Sequence, residues 1–88
     1  MPATETADRL KLIVYGRGYC HLCEDMIVAL RQMQGRFEFD LSIIDVDSDA
    51  ALEAQFGEKV PVLMCRDREL CHYFLDEPVV TAFLSEIR

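Results

Sequence analysis

Cys20 and Cys23 are separated by two residues in Val14-Tyr15-Gly16-Arg17-Gly18-Tyr19-Cys20-His21-Leu22-Cys23, where an apolar run gives way to a helical pattern. A cysteine at the first turn of a helix meets unpaired backbone N–H groups and the positive end of the helix dipole, both of which favour thiolate over thiol. Thiolate is the form that attacks disulfides. Two intervening residues in helical geometry bring the second sulfur round to the first, so a mixed disulfide formed at Cys20 can be resolved by Cys23. Cys20, ahead of the helix, is the expected exposed nucleophile, and Cys23, one turn in, the more buried resolving thiol. His21 as an imidazolium would raise the thiolate content of Cys20, while Glu24 and Asp25 oppose it. The balance predicts a moderately acidic Cys20.

Other side chains carry weaker signals. Cys65 and Cys71 could join the first pair around zinc or an iron-sulfur cluster, but zinc ribbons use two close knuckles. These two cysteines are separated by five residues and fall on strands, so free, largely buried thiols and no bound metal are expected; metal carriage stays as an alternative. Asp45, Asp47 and Asp49 lack the glycine and distal glutamate of a calcium-binding EF-hand loop and read as helix capping. Arg17 is either a partner for a substrate carboxylate or a solvated loop charge. Tyr19 is either an aromatic wall for a mixed disulfide or a packing residue. Arg66 and Arg68 read as solvated turn charges, and His72 as a surface or core-edge residue.

The elements that must position these groups follow from residue pattern. Leu10 to Tyr15 is a β-branched, apolar run ended by Gly16-Arg17-Gly18, a buried strand entering a loop. Met26, Ile27, Leu30 and Met33 follow the rhythm of one helix face, predicting a helix from about Cys20 to Gln34 with Gly35 as its stop. Phe37 to Ile44 makes a second strand. Ala50 to Phe56 is a short helix after its aspartates, closed by Gly57 in a left-handed cap. Val60 to Cys65 is a third strand with Pro61 at its start or edge. A turn at Asp67 returns Glu69 to Tyr73 as a fourth, antiparallel strand. Asp76-Glu77-Pro78 opens a last helix with Val79, Val80, Phe83, Leu84 and Ile87 on its apolar face. The order is β-α-β-α-β-β-α, with the first two strands parallel through a right-handed crossover.

The chain has 88 residues, 51% hydrophobic and 28% charged, the balance of one globular domain. A net charge of −7 opposes nucleic-acid binding, because no basic surface is available to neutralise phosphates. Residues 1–9 read as a mobile polar tail without the basic and apolar segments of an export signal, and residues 10–88 as the single domain. No apolar run approaches membrane-spanning length. A cytoplasmic protein with no membrane and no nucleic-acid partner is the expectation.

Through Tyr15 to Cys23 and through Val60-Pro61-Val62-Leu63, the sequence resembles the glutaredoxin-like branch of the thioredoxin superfamily over nearly its whole length. The resemblance implies a thioredoxin-like α/β fold, a four-stranded mixed sheet flanked by helices. It also implies a cis Val60–Pro61 bond facing the cysteines, and a redox-active disulfide used in electron transport. Arg17 stands where glutaredoxins often carry a lysine that contacts a glutathione carboxylate. The implied activity is thiol-disulfide exchange with catalytic Cys20 and Cys23, and with Tyr19, His21, Arg17, Val60 and Pro61 around the substrate. Its partners would be a disulfide-bearing protein or small thiol and a reductant. Two departures stand out. Glutaredoxins commonly have Cys-Pro-Tyr-Cys where this chain has His21 and Leu22, and they show a Gly-Gly pair where it reads Leu70-Cys71-His72-Tyr73-Phe74-Leu75-Asp76. No bound cofactor is required, and glutathione stays an open ligand. The rival class is a noncatalytic module that holds an extended partner chain in the same groove.

Overall fold

The computed structural model describes residues 10–86, so the N-terminal tail and Ile87 lie outside the described residues. Four strands and three helices alternate: β1 (Leu10–Gly16), α1 (His21–Met33), β2 (Phe39–Asp45), α2 (Ala50–Phe56), β3 (Val62–Cys65), β4 (Arg68–His72) and α3 (Glu77–Glu86). A 3₁₀ turn over Val46–Ser48 joins β2 to α2. The sheet order is β2-β1-β3-β4, with β1 parallel to β2 and antiparallel to β3, and β3 antiparallel to β4. The α/β arrangement is the one expected from the residue pattern. No helix among the described residues is long and apolar enough to cross a membrane.

Strand alternation divides the apolar residues between two sheet faces. Leu12 and Val14 of β1 and Leu63 and Cys65 of β3 face one side, where Met26, Leu30 and Met33 of α1 and Val80 and Leu84 of α3 cover them. Tyr15 and Val62 face the other side, where Val46 and Phe56 close a smaller cluster with Leu52, Val60 and Met64. There the Tyr15 and Phe56 rings stack with centroids 4.4 Å apart. Each fully buried aliphatic side chain contributes roughly 1.5–3 kcal/mol relative to exposure, which fixes α1 on β1 and so sets where its first turn lies.

Local chemistry explains the element ends. Asp45 Oδ1 accepts from the Asp47 N–H and Asp49 Oδ1 from the Ala51 N–H, so two of the three aspartates cap the turn and α2. Gly57 departs from expectation: its φ is −55°, right-handed, not left-handed. Space requires the glycine instead, because a Cβ there would lie 2.5 Å from the Glu53 carbonyl oxygen. The two-residue β3–β4 loop puts Arg66 at φ 57°, as the first position of such tight hairpin turns demands. Leu70 is left over in the β3–β4 pairing, a bulge on an edge strand. Tyr73 falls just past β4 at φ 67°, outside the strand expected to include it.

Candidate active site

Cys20 is the N-cap of α1, extended at φ −118° and ψ 111°, and its sulfur accepts a hydrogen bond from the Cys23 N–H at 3.1 Å. A sulfur therefore occupies the place where serine or aspartate caps most helices, aimed at the unpaired donors of the first turn. Cys20 and Cys23 are joined as a disulfide with a Cα–Cα distance of 5.1 Å. Cys20 is half-buried, and Cys23 is only 2% exposed. The two sulfurs thus differ in access, Cys20 being the more exposed, as the chain order suggests.

Gly16 is a site residue that its type alone did not reveal. It ends β1 on the same face as Leu12 and Val14, and a Cβ there would meet Cys23 Sγ at 2.9 Å. The Cys23 sulfur sits in the space a side chain would fill. Because Tyr15 pairs with Val62, one further step of the antiparallel register brings Pro61 abreast of Gly16, at the same sheet end as the disulfide. The Val60–Pro61 peptide is cis, and Pro61 is buried. The Tyr73 N–H donates to the Pro61 carbonyl at 2.8 Å, which ties the end of β4 to this corner.

The remaining candidates separate. Tyr19 is 86% exposed, and His21 is exposed on the first turn. Val60 is half-buried and packs under α2 with Val46, Phe56 and Val62. Arg17 is engaged within the protein: its guanidinium is paired with Asp47, donates to Glu53 Oε2 at 2.9 Å, and donates to the Gly57 carbonyl at 2.9 Å. Glu53, and after it Asp47, stabilise that charge and raise an already high pKa. Arg17 thereby fastens the loop before Cys20 to the 3₁₀ turn and α2. Leu22, Asp25 and Met26 of α1 and Tyr73, Phe74 and Leu75 line a groove of about 230 Å³, whose link to the disulfide is Leu22, one of the two residues between the cysteines.

Cys65 is buried and Cys71 half-buried, both as free thiols. Burial pushes the pKa of each up; Arg66 opposes this at Cys65, and the Asp76 backbone N–H opposes it at Cys71. Among the described residues, no group of three or more His, Cys, Asp or Glu side chains is placed to hold a metal ion.

The glutaredoxin-like domain family (DUF836) matches residues 11–85. The chain belongs to this family. It is 32% identical over 66 residues to an uncharacterized protein of Mycobacterium tuberculosis, an alignment covering 69% of this chain and 68% of that one. A solution structure of a protein from Nitrosomonas europaea is similar at a TM-score of 0.80 and 47% identity, covering 86% of this chain and 92% of the other. An X-ray structure of a protein from X. campestris matches at a TM-score of 0.70 and 37% identity, over 85% and 96%. Thioredoxin of Fasciola hepatica shares the fold at a TM-score of 0.68 with 11% identity, over 99% of this chain and 90% of its own. This glutaredoxin-like chain thus has the thioredoxin-like fold, and its Cys20–Cys23 disulfide stands at the first turn of α1.

Proposed function

We propose that this glutaredoxin-like protein is a thiol-disulfide oxidoreductase that exchanges its Cys20–Cys23 dithiol and disulfide with the disulfides of other molecules in the cytoplasm. The observation that carries the reading is the N-cap sulfur: Cys20 Sγ accepts the Cys23 N–H at 3.1 Å. The same donor and the helix dipole stabilise a thiolate at Cys20 once the disulfide is reduced. In the reduced protein, the Cys20 thiolate attacks a substrate disulfide. One S–S bond breaks, a mixed disulfide forms, and the departing thiolate takes up a proton. Cys23 loses its proton and attacks the Cys20 sulfur, releasing the second substrate thiol and restoring the intramolecular disulfide. Two electrons pass from protein to substrate, and an external thiol reductant resets the pair. Gly16 gives Cys23 the room to reach Cys20. Tyr19, His21 and the corner at Val60 and Pro61 border the substrate, and Arg17 supports the loop that carries the nucleophile. No metal or flavin enters these steps.

The test is a trap. A Cys23→Ser variant incubated with a disulfide substrate is expected to accumulate a mixed disulfide on Cys20, seen by mass spectrometry and released by dithiothreitol. A variant that forms none at Cys20 refutes the order of attack.

A further inference from the structure

Around the cysteines, several of the groups that could receive an anionic substrate are already occupied from within. Arg17 is spent on Asp47, Glu53 and the Gly57 carbonyl. The Tyr73 N–H is given to Pro61, and the Phe74 N–H to the His72 carbonyl at 2.7 Å. With Tyr73 at φ 67°, that last bond closes a three-residue γ-turn of the rarer, positive-φ kind. The turn is held by the Tyr73 hydroxyl, which donates to the Glu58 carbonyl at 3.0 Å. The start of α3 is closed too, because Asp76 Oδ1 accepts the Val79 N–H at 3.2 Å. Lys59 is bound to Glu69 at 2.7 Å, so the basic side chain left beside the cysteines is His21, exposed on the first turn of α1.

What the rim does present is apolar and acidic. The γ-turn turns Phe74 outward to 68% exposure, and Tyr19 is 86% exposed. Phe74 lines one groove with Leu22, which lies between the two cysteines, and Asp25 stands in the same groove. Glu24 is exposed one residue before it. A large exposed apolar side chain at the edge of a groove, as Phe74 is, marks a place where another surface is covered.

Building on the exchange reading, we propose that the site selects an extended polypeptide disulfide with an apolar or aromatic residue and a lysine or arginine beside its cysteine, and discriminates against anionic tripeptide disulfides such as that of glutathione. The apolar residue lies between Leu22 and Phe74, and the cation meets Asp25. Charge complementarity decides the occupant: a basic segment gains from Glu24 and Asp25, whereas a carboxylate-bearing thiol meets those acids while Arg17 and Lys59 are engaged within the protein.

The experiment is a single-turnover assay with the pre-reduced full chain, so that its own dithiol supplies both electrons. Three probes are compared: the disulfide dimer of a capped Arg-Phe-Cys-Leu-Lys peptide, glutathione disulfide, and bis(2-hydroxyethyl) disulfide. Each rate is divided by that of the same probe with dithiothreitol, which removes differences in leaving-thiol chemistry. The peptide is expected to react at least about tenfold faster than glutathione disulfide on this scale, with the gap narrowing as salt is raised. Phe74→Ala and Asp25→Asn are each expected to lower the ratio of peptide to bis(2-hydroxyethyl) disulfide rates about fivefold. Phe74 is an exposed side chain, so its truncation leaves the core intact. Equal or faster reaction of glutathione disulfide, or an unchanged ratio in Phe74→Ala, overturns the selectivity and leaves the exchange reading standing. Failure of all three probes overturns the exchange reading and this inference with it.

Discussion

Cys20 and Cys65 are one residue type in two settings. At the mouth of α1, the Cys20 sulfur takes a backbone N–H and reaches solvent, and its partner Cys23 lies within bonding distance one turn on. On β3 and β4, Cys65 and Cys71 occupy places where the sheet requires small apolar side chains, and burial makes each thiolate harder to form. On the exchange reading, the difference in reactivity comes from the backbone around a sulfur more than from the sulfur. The helix start supplies donors that no strand interior has free, because ladder bonds consume them.

The strongest way to break this contrast is to exchange serine into each setting. Cys20→Ser is expected to bring disulfide exchange down to background, whereas Cys71→Ser keeps it, both measured with the same disulfide substrate. Cys65→Ser buries a hydroxyl among Leu12, Leu63 and other core residues, and is expected to cost about 1–3 kcal/mol in urea unfolding with activity retained below the transition. Retained exchange in Cys20→Ser would reverse the assignment of nucleophile.

Gly16→Ala tests the geometry that lets the first pair meet. The added methyl would lie 2.9 Å from Cys23 Sγ, so the helix start or the sulfur must move. The expected cost is about 1–3 kcal/mol, with slower closure of the Cys20–Cys23 disulfide after mixing with an oxidant. The same substitution at Gly18 meets nothing within 4 Å and serves as the control. Equal closure rates in the two variants would remove the role given to Gly16.

The second pair gives a pH signature with a definite sign. Burial raises the folded pKa of Cys65 and Cys71, so the unfolded chain releases their protons first. Their contribution is complete below the unfolded thiol value of about 8.5 and is lost as pH rises from there through the higher folded values. With the Cys20–Cys23 disulfide intact, stability in urea is expected to fall on the alkaline side of that value, and the Cys65→Ala, Cys71→Ala double variant to show a flatter limb. Alkylation of the reduced protein at neutral pH is expected to modify Cys20 well before Cys65.

What could be read along the chain is what neighbouring residues decide. The cysteine spacing, the strand before it and the Asp49 cap of α2 each rest on contacts within a few positions. Arg17 was ambiguous because its partners Asp47, Glu53 and Gly57 lie 30, 36 and 40 residues away, and only the fold brings them together. Gly57 looked like a left-handed cap because glycine favours one, yet crowding by Glu53 is the reason for it. Gly16 carried the same hidden signal, a glycine at a strand end just ahead of two cysteines. The γ-turn at Tyr73 was beyond reach, since nothing in a tyrosine announces positive φ.

The smallest expected effect concerns the charges beside the second pair. Glu69 Oε1 accepts from Lys59 at 2.7 Å and Oε2 contacts His72 Nδ1 at 2.7 Å. The Lys59 hydrogen bond, and less strongly His72, lower the pKa of Glu69 against the opposing effect of burial. Its contribution to stability is then present above the unfolded carboxylate value of about 4.3 and lost as pH falls through the lower folded value. Glu69 is 31% exposed at the side chain, so solvent screens the pair and the expected worth is about 0.2–1 kcal/mol. Lys59→Met should therefore be slightly less stable than the parent at neutral pH and converge with it in acid, as urea midpoints would show. Glu69 also adds to the upward push on Cys71, so Glu69→Gln is expected to speed alkylation of Cys71 while leaving that of Cys20 unchanged. Equal acceleration at both cysteines would mean that the two settings share one electrostatic environment, and the contrast between helix mouth and strand would lose its physical basis.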